Sequence, residues 1–259
     1  MEPLPPPPSD QCAACAAPLR PGAGFCGQCG HRVGDAPPPP RPVAPPAWPD
    51  VRYALVFYFV LLGVQVVTMV LHEVGMGEFT LLWTADALLA VATLVGSIKI
   101  RADLVGLYRR GGFRVLGYAA IAAASYPAFV LVALFVHALD VAFHVGRGAE
   151  TMVGQGIGWN ILFVCVTPPV VEELAFRGVI YTLLARHLHA WEALVLSAFA
   201  FAMLHLSVPS LVTHVPLGLY FGWLRGRGRS LWPGMFAHAL HNGWVLAQDV
   251  VGVLPPFGF

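Results

Sequence analysis

Long apolar stretches dominate this chain after residue 50. A transmembrane helix needs about 20 mostly apolar residues, and the 259 residues are 57% hydrophobic and 11% charged, which excludes an ordinary soluble domain and a disordered chain alike. The predicted fold class is therefore all-α, a polytopic bundle of membrane helices. The seven predicted spans are Tyr53–Leu71, Phe79–Ile98, Val115–Leu139, Gly156–Leu184, Trp191–Val208, Val212–Leu224 and Leu231–Val251.

The fourth stretch leaves the helix count open. Thr167, Pro168 and Pro169 interrupt it, and proline starts helices well but continues them badly. A break at this point would divide the stretch into two helices. The sequence therefore predicts seven or eight membrane helices.

Basic residues are concentrated in alternate loops. By the positive-inside rule, this asymmetry predicts that these loops and the N-terminus are cytoplasmic and that the C-terminus lies on the far side. The remaining loops contain only Arg147 among them, and the first eleven residues lack the basic and apolar regions of a cleavable signal. The residues that set the orientation are Lys99, Arg101, Arg109, Arg110, Arg114, Arg186, Arg225, Arg227 and Arg229.

The first 35 residues contain two Cys-x-x-Cys pairs. Their four thiolates, on Cys12, Cys15, Cys26 and Cys29, can close one tetrahedral zinc site, and a short segment without a core needs such a ligand to fold. Two disulfides are the alternative, which the reducing cytoplasm disfavours. The segment resembles the small zinc-ribbon modules at the front of many prokaryotic membrane proteins, so we expect the cell membrane of a prokaryote.

A proline-rich linker separates the predicted zinc ribbon, residues 1–35, from the transmembrane domain, residues 51–259. Residues 36–50 contain PPPPRPVAPP, which predicts an extended, semi-rigid spacer, although a ligand for a proline-binding domain is an alternative. The ribbon could bind a cytoplasmic partner. Arg20 and Arg32 are too few basic residues to favour nucleic acid.

Ionisable residues inside the apolar region are the candidates for function, because charge is expensive in hydrocarbon. They occur in three motifs within 71 residues, on three different predicted spans. A carboxylate and a histidine can activate water, while a second histidine and an asparagine can receive a developing oxyanion. The motifs are Glu172, Glu173 and Arg177; Phe201 and His205; and His238 and Asn242.

Helical spacing assigns different surroundings to the two acids. Glu173 and Arg177 are four residues apart, with the acid first, which is the favourable order for an ion pair on one helix face. Glu172 projects about 100° away from Glu173. One carboxylate can thus be neutralised by arginine while the other faces the bundle interior. Phe201 lies one turn before His205 and can pack against its imidazole.

Each motif also has a purely structural interpretation. A buried histidine or asparagine commonly bonds one helix to another, and a Glu–Arg pair can do the same. The joint occurrence of all three motifs favours a catalytic site. A proton or ion transporter is a further alternative, although the polar residues are confined to the last spans and no inverted repeat is evident.

The three motifs, taken in order, resemble those of the CAAX protease and bacteriocin-processing (CPBP, or Abi) family, which includes the type II CAAX prenyl endopeptidases. The resemblance covers residues 155–252 and implies an all-helical intramembrane endopeptidase. It implies that Glu172 and His205 polarise the attacking water and that His238 and Asn242 form the oxyanion site. Glu173, Arg177 and Phe201 would then shape the site around them.

The resemblance leaves the catalytic metal and the substrate open. The family is labelled metalloprotease, and zinc held by Glu172, His205 and His238 satisfies the usual three-ligand count. Metal-free general-base catalysis fits these residues equally well. The expected substrate is a peptide or protein in or at the bilayer, and nothing in the sequence reads a prenyl group. A non-catalytic scaffold or immunity protein of the same family is the alternative function.

Cysteine-accessibility labelling tests the predicted orientation. Single cysteines introduced between Lys99 and Arg114, and between Arg225 and Arg229, should react from the cytoplasmic side. A cysteine at Phe259 should react only from the opposite side. If both ends of the chain react from the same side, the number of spans is even and the prediction of seven is wrong.

Overall fold

The computed structural model describes residues 10–20, 23–28, 30–33, 48–109, 113–143 and 156–251. The chain divides into two compact units, Met1–Pro46 and Ala47–Phe259. Cys29, most of the predicted linker and Phe259 lie outside the described residues, as does Arg147.

The second unit consists of helices along its described length, and the predicted all-α class is confirmed. Within the described ranges, β-type pairing is limited to two isolated bridges in the N-terminal unit. Each of the seven predicted apolar stretches contains a helix, but the fifth, Trp191–Val208, extends beyond the end of its helix at Met203. The helices are α1 (Trp48–Glu73), α2 (Glu78–Ser97), α3 (Arg101–Arg109), α4 (Val115–Phe143), α5 (Ile157–Leu184), α6 (Ala190–Met203), α7 (Val208–Gly228) and α8 (Trp232–Val251), with a 3₁₀ turn at Ile98–Ile100.

Four helical segments are long and apolar enough to cross a membrane, and α6 is a shorter apolar helix. The four are α1, the continuous run Thr80–Tyr108, the first part of α4 (Val115–Val132) and α5. Large apolar side chains lie exposed on them, such as Phe59 and Leu94, as a lipid-facing surface requires. The count of seven spans stays a prediction.

Two segments that the sequence places outside the spans are helical. The segment Arg101–Arg109, predicted as a loop, forms α3 because Leu104 and Leu107 lie buried on one face while Arg101 and Asp103 remain exposed. Helix α1 begins at Trp48, so the last three residues of the predicted linker are already helical.

Helix α5 is continuous through its two prolines, so the division that would have added an eighth span does not occur. Two π-helical segments, Ile161–Val166 and Glu173–Ile180, flank the α-helical turn Thr167–Glu172. In the first, the Thr167 N–H donates to the Leu162 carbonyl, five residues back. The wider π-helical turn lets the helix continue past the two prolines, which lack a backbone N–H. Glu172 therefore lies in the middle of a helix.

The core of the second unit forms around α5. Phe176, Val179 and Leu183 are fully buried and pack with Leu61 of α1 and with Leu231, the residue just before α8. A second cluster joins α4, α7 and α8 through side chains such as Phe129, Phe221 and Ala237. The two clusters surround the helices that carry the three motifs.

A polar cluster at one end of the second unit ties three helices together. The Asp50 carboxylate at the start of α1 accepts from Lys99 Nζ at 2.8 Å and from Arg186 Nη1 at 3.0 Å. Arg186 also donates from Nη2 to Asp103 Oδ2 at 2.7 Å, and His187 Nε2 lies 3.2 Å from Asp50. Lys99 and Arg186 belong to different predicted cytoplasmic loops, and this cluster brings them to the same end of the helices.

Candidate active site

The three motifs meet around the ring of Phe201 on α6, which is 1% exposed. His205, His214 and His238 lie with their ring centroids 5.2, 5.7 and 5.7 Å from that ring. The Arg177 guanidinium lies over its face, with Cζ 4.5 Å from the centroid. Phe201 is thus a shared apolar support for three imidazoles and one cation.

A buried ion pair links α5 to α7. Arg177 Nη1 donates to Glu173 Oε1 at 2.9 Å, and Nη2 donates to the Gly218 carbonyl at 2.9 Å. A Cβ at Gly218 would lie 2.9 Å from Ala198 Cβ and 3.2 Å from Arg177 Nη2. Only glycine therefore lets α7 lie this close to α6 and to the Arg177 side chain. Both charged side chains are 1% exposed. A pair this deep persists only when its remaining donors are also satisfied.

His238 lies between the two acids of the first motif. Its Nδ1 is 3.3 Å from Glu173 Oε1, and its Nε2 is 3.7 Å from Glu172 Oε2. One face of the imidazole stacks on Phe221, with centroids 4.9 Å apart and planes at 17°. The ring is fixed by packing and by an acceptor at Nδ1, so that Nε2 is directed toward Glu172.

His205 lies two residues after the end of α6 and has one nitrogen engaged by the backbone of that helix. Its Nδ1 lies 3.1 Å from the Phe201 carbonyl, so Nδ1–H donates there and Nε2 keeps its lone pair. The His214 ring of α7 lies 3.9 Å away between centroids. Its Nδ1 lies 3.1 Å from the Ser210 carbonyl in the same manner. Two imidazoles of fixed orientation thus lie side by side.

Asn242 lies one turn after His238 on α8 and bonds across to α5. Its Nδ2 donates to the Val164 carbonyl at 2.8 Å. An amide carries two N–H donors, so a second one is available at this nitrogen. The asparagine is therefore both anchored and able to donate further.

Sequence reasoning missed several residues of this site. It left the role of His214 open, and the spacing of four from Ser210 was the one available signal. Gly234 lies against Glu173, since a Cβ at this position would be 2.8 Å from Glu173 Oε2. An isolated glycine within a helical pattern is the sequence signal that could have indicated this close contact. Asp86 of α2 is near enough to Glu172 to interact with it electrostatically, and its buried Oδ2 makes no hydrogen bond to the described residues.

The three candidate zinc ligands of the active site, Glu172, His205 and His238, do not lie close enough together to bind one metal ion. Among the described residues, one group of three or more His, Cys, Asp or Glu side chains has all its ligand atoms within 4.8 Å of one another, and it is not Glu172, His205 and His238. Zinc–ligand bonds of about 2 Å require a tighter set. Glu172, His205 and His238 therefore do not fit a zinc ion.

The group that does qualify lies in the N-terminal unit and consists of Cys12, Cys15 and Cys26. Cys15 Sγ and Cys26 Sγ are 3.7 Å apart, which is too far for a disulfide of about 2.05 Å. The two cysteine turns have the same backbone pattern, since Ala16 and Gly30, each four residues after the first cysteine, have positive φ values of 58° and 74°. These three thiols can hold a metal ion.

Comparison with known proteins agrees with the motifs. Residues 154–244 match the family described as "Type II CAAX prenyl endopeptidase Rce1-like", so the predicted family resemblance is confirmed over that range. The chain is also 27% identical over 113 residues to the Bacillus subtilis protein named "Putative membrane peptidase YdiL". That similarity covers 42% of this chain and 46% of the relative, so the chain spans about half the length of the curated relative it matches. No solved structure matches the chain.

Replacing Glu173 by glutamine should lower stability far more than breaking an exposed pair. Glu173→Gln leaves the Arg177 guanidinium buried without its counter-charge, and loss of one partner of a buried pair costs about 3–5 kcal/mol. Lys99→Gln, which breaks the partly exposed pair with Asp50, should cost about 1 kcal/mol or less. Melting temperatures in detergent and the yield of folded protein compare the two variants. Equal losses would contradict a structural role for the buried pair.

Proposed function

We propose that this chain is an intramembrane endopeptidase that hydrolyses a peptide bond with water activated by Glu172 and His205. The observation that carries the proposal is the convergence of the motifs of α5, α6 and α8 around Phe201. The similarity to the type II CAAX prenyl endopeptidases and to a protein named as a membrane peptidase supports the same reaction class.

Glu172 and His205 have different roles in the proposed general-base catalysis. The Glu172 side chain is 13% exposed and sits beside His238, so it can reach a water molecule in the site. It takes the proton of water as the water oxygen attacks the scissile carbonyl carbon. His205 accepts a hydrogen bond from the same water at Nε2, the nitrogen that its helix leaves available. The proton then passes to the leaving amine nitrogen as the carbon–nitrogen bond breaks.

The oxyanion of the tetrahedral intermediate is received by groups of α8. Asn242 donates the amide N–H that Val164 does not use. His238 carries both ring protons before the attack, donates from Nε2 to the oxyanion and donates from Nδ1 to Glu173 Oε1, which offsets part of its charge. Donors held in place before the reaction cost no reorganisation in the transition state.

Glu173 and Arg177 shape the site without touching the reacting atoms. Arginine holds the carboxylate through one nitrogen and the α7 backbone through another. The carboxylate in turn orients His238. The expected substrate is a peptide segment in or at the bilayer, because the site is built from helices of the membrane region.

Two substitutions separate the proposed roles at the active site. Glu172→Gln keeps the shape but removes the base, so kcat should fall about 10²- to 10⁴-fold. Asn242→Ala should lower kcat about 10²- to 10³-fold with little change in KM. Purified protein in liposomes is assayed with quenched fluorescent CAAX peptides, farnesylated and unmodified, and Glu73→Gln at the exposed end of α1 is the matched control.

Comparative proteomics extends the test to unknown substrates. Membranes containing the wild-type chain should show a cleaved peptide that disappears in Glu172→Gln. Full turnover by Glu172→Gln would show that another group is the base. If all variants change only protein abundance, the chain is the non-catalytic scaffold.

We also propose that the N-terminal unit is a zinc ribbon on the cytoplasmic side. With Zn–S bonds of about 2.3 Å, a tetrahedral site has sulfur–sulfur edges of about 3.8 Å. The distance of 3.7 Å between Cys15 Sγ and Cys26 Sγ matches this edge length and supports zinc as the ion. The sequence supplies Cys29 as the fourth thiolate.

Metal analysis of the full-length protein tests the ribbon. The purified wild type should contain one zinc per chain, and Cys12→Ser should lose most of it because three-thiolate sites bind zinc less tightly. Cys165→Ser, which removes the cysteine of α5, should retain the full zinc content. Zinc that stays in Cys12→Ser and leaves in Cys165→Ser would contradict the assignment.

A further inference from the structure

The Val164 carbonyl in α5 receives its hydrogen bond from another helix. In an α-helix its donor would be the N–H of residue 168, four positions on. In a π-helical turn, which α5 adopts up to Val166, the donor would be the N–H of residue 169. Both residues are proline and neither has an N–H. The tandem prolines therefore remove both donors that α5 could offer this carbonyl.

The missing donor is supplied by Asn242. Its Nδ2 lies 2.8 Å from the Val164 oxygen, a short hydrogen bond between α8 and α5. In the apolar interior of a membrane protein an unsatisfied carbonyl is costly, and side chains of neighbouring helices commonly satisfy the carbonyls that proline frees. Asn242 therefore supplies the hydrogen bond that the two prolines of α5 cannot donate to the Val164 carbonyl.

We propose that Pro168 and Pro169 are positioning residues that hold the Asn242 amide in its catalytic orientation through the Val164 carbonyl. This inference rests on the proposed function, in which Asn242 is an oxyanion donor. A carbonyl accepts only from the NH₂ end of the amide, so the bond fixes which end of Asn242 points to α5. One N–H is then tied and the other has a fixed direction. A site that needs its donors in place before the reaction gains from such an anchor.

The proposal predicts an energetic coupling that does not depend on activity. In the wild-type chain, Asn242→Ala leaves the Val164 carbonyl unsatisfied and should lower the melting temperature in detergent by a few degrees. In Pro168→Ala/Pro169→Ala, a backbone N–H can bond to that carbonyl. Asn242→Ala should then have little further effect, and the double-mutant cycle measures the difference.

The kinetic arm uses the farnesylated CAAX peptide and its unmodified counterpart. Pro168→Ala/Pro169→Ala should lower kcat at least about tenfold, up to the 10²- to 10³-fold loss expected when an oxyanion donor is removed. KM should stay within about twofold of the wild-type value, because the replacement alters stabilisation of the transition state and not binding of the substrate. Adding Asn242→Ala to this variant should lower kcat little further. Pro127→Ala, which replaces an exposed proline inside α4, is the control and should keep full activity.

The outcomes separate this inference from the proposed function. An equal melting-temperature loss for Asn242→Ala in both backgrounds overturns the coupling, and so does full kcat in Pro168→Ala/Pro169→Ala. Should the double replacement fail to fold, Pro168→Ala and Pro169→Ala are run singly through the same cycle, and additive effects in both overturn the proposal. If the wild type cleaves neither peptide and proteomics finds no cut dependent on Glu172, the proposed function fails while the thermal cycle still decides the coupling.

Discussion

The buried contact between Glu173 and Arg177 is the interaction on which the site depends. It places a carboxylate, a guanidinium and the carbonyl of Gly218 in one dry cluster, with Phe201 beneath the cation. Since neither charge can be left alone in such surroundings, Arg177 holds α5 against α7 through the Gly218 carbonyl while it neutralises Glu173. His238 takes its orientation from the same carboxylate. The His238 ring and the backbone of α7 are thus both held by this one pair.

Sequence reasoning reached the helices and the Glu173–Arg177 contact because both follow from simple spacing, and the assignment of the site residues stays a prediction. Apolar stretches of helical length predicted the segments, and the four-residue interval predicted the Glu173–Arg177 pair. It failed where backbone hydrogen bonding decides the outcome. Two π-helical segments carry α5 through its prolines, and no propensity argument separates that result from a break. The approach of Gly218 to Ala198, and the neighbourhood of His214 and His205, depend on how α6 and α7 pack and have no local signature.

The π-helical segments also explain how one helix can face several partners. A wider turn shifts the direction of every later side chain relative to a regular helix. Glu172 thereby faces His238 while Glu173, the next residue, faces both His238 and Arg177. Two adjacent acids so come to lie on either side of one imidazole.

The Asp50 cluster has a consequence for how the protein is made. Asp50 is among the first residues of α1 to leave the ribosome, yet its partner Arg186 follows 136 residues later. Until α5 has been synthesised, the carboxylate has Lys99 alone among the basic partners that surround it in the finished protein. The early helices therefore enter the bilayer before their end of the bundle can close. Completion waits for Arg186, which follows directly after α5, so this end of the helices closes only after the two acids of α5 have been synthesised.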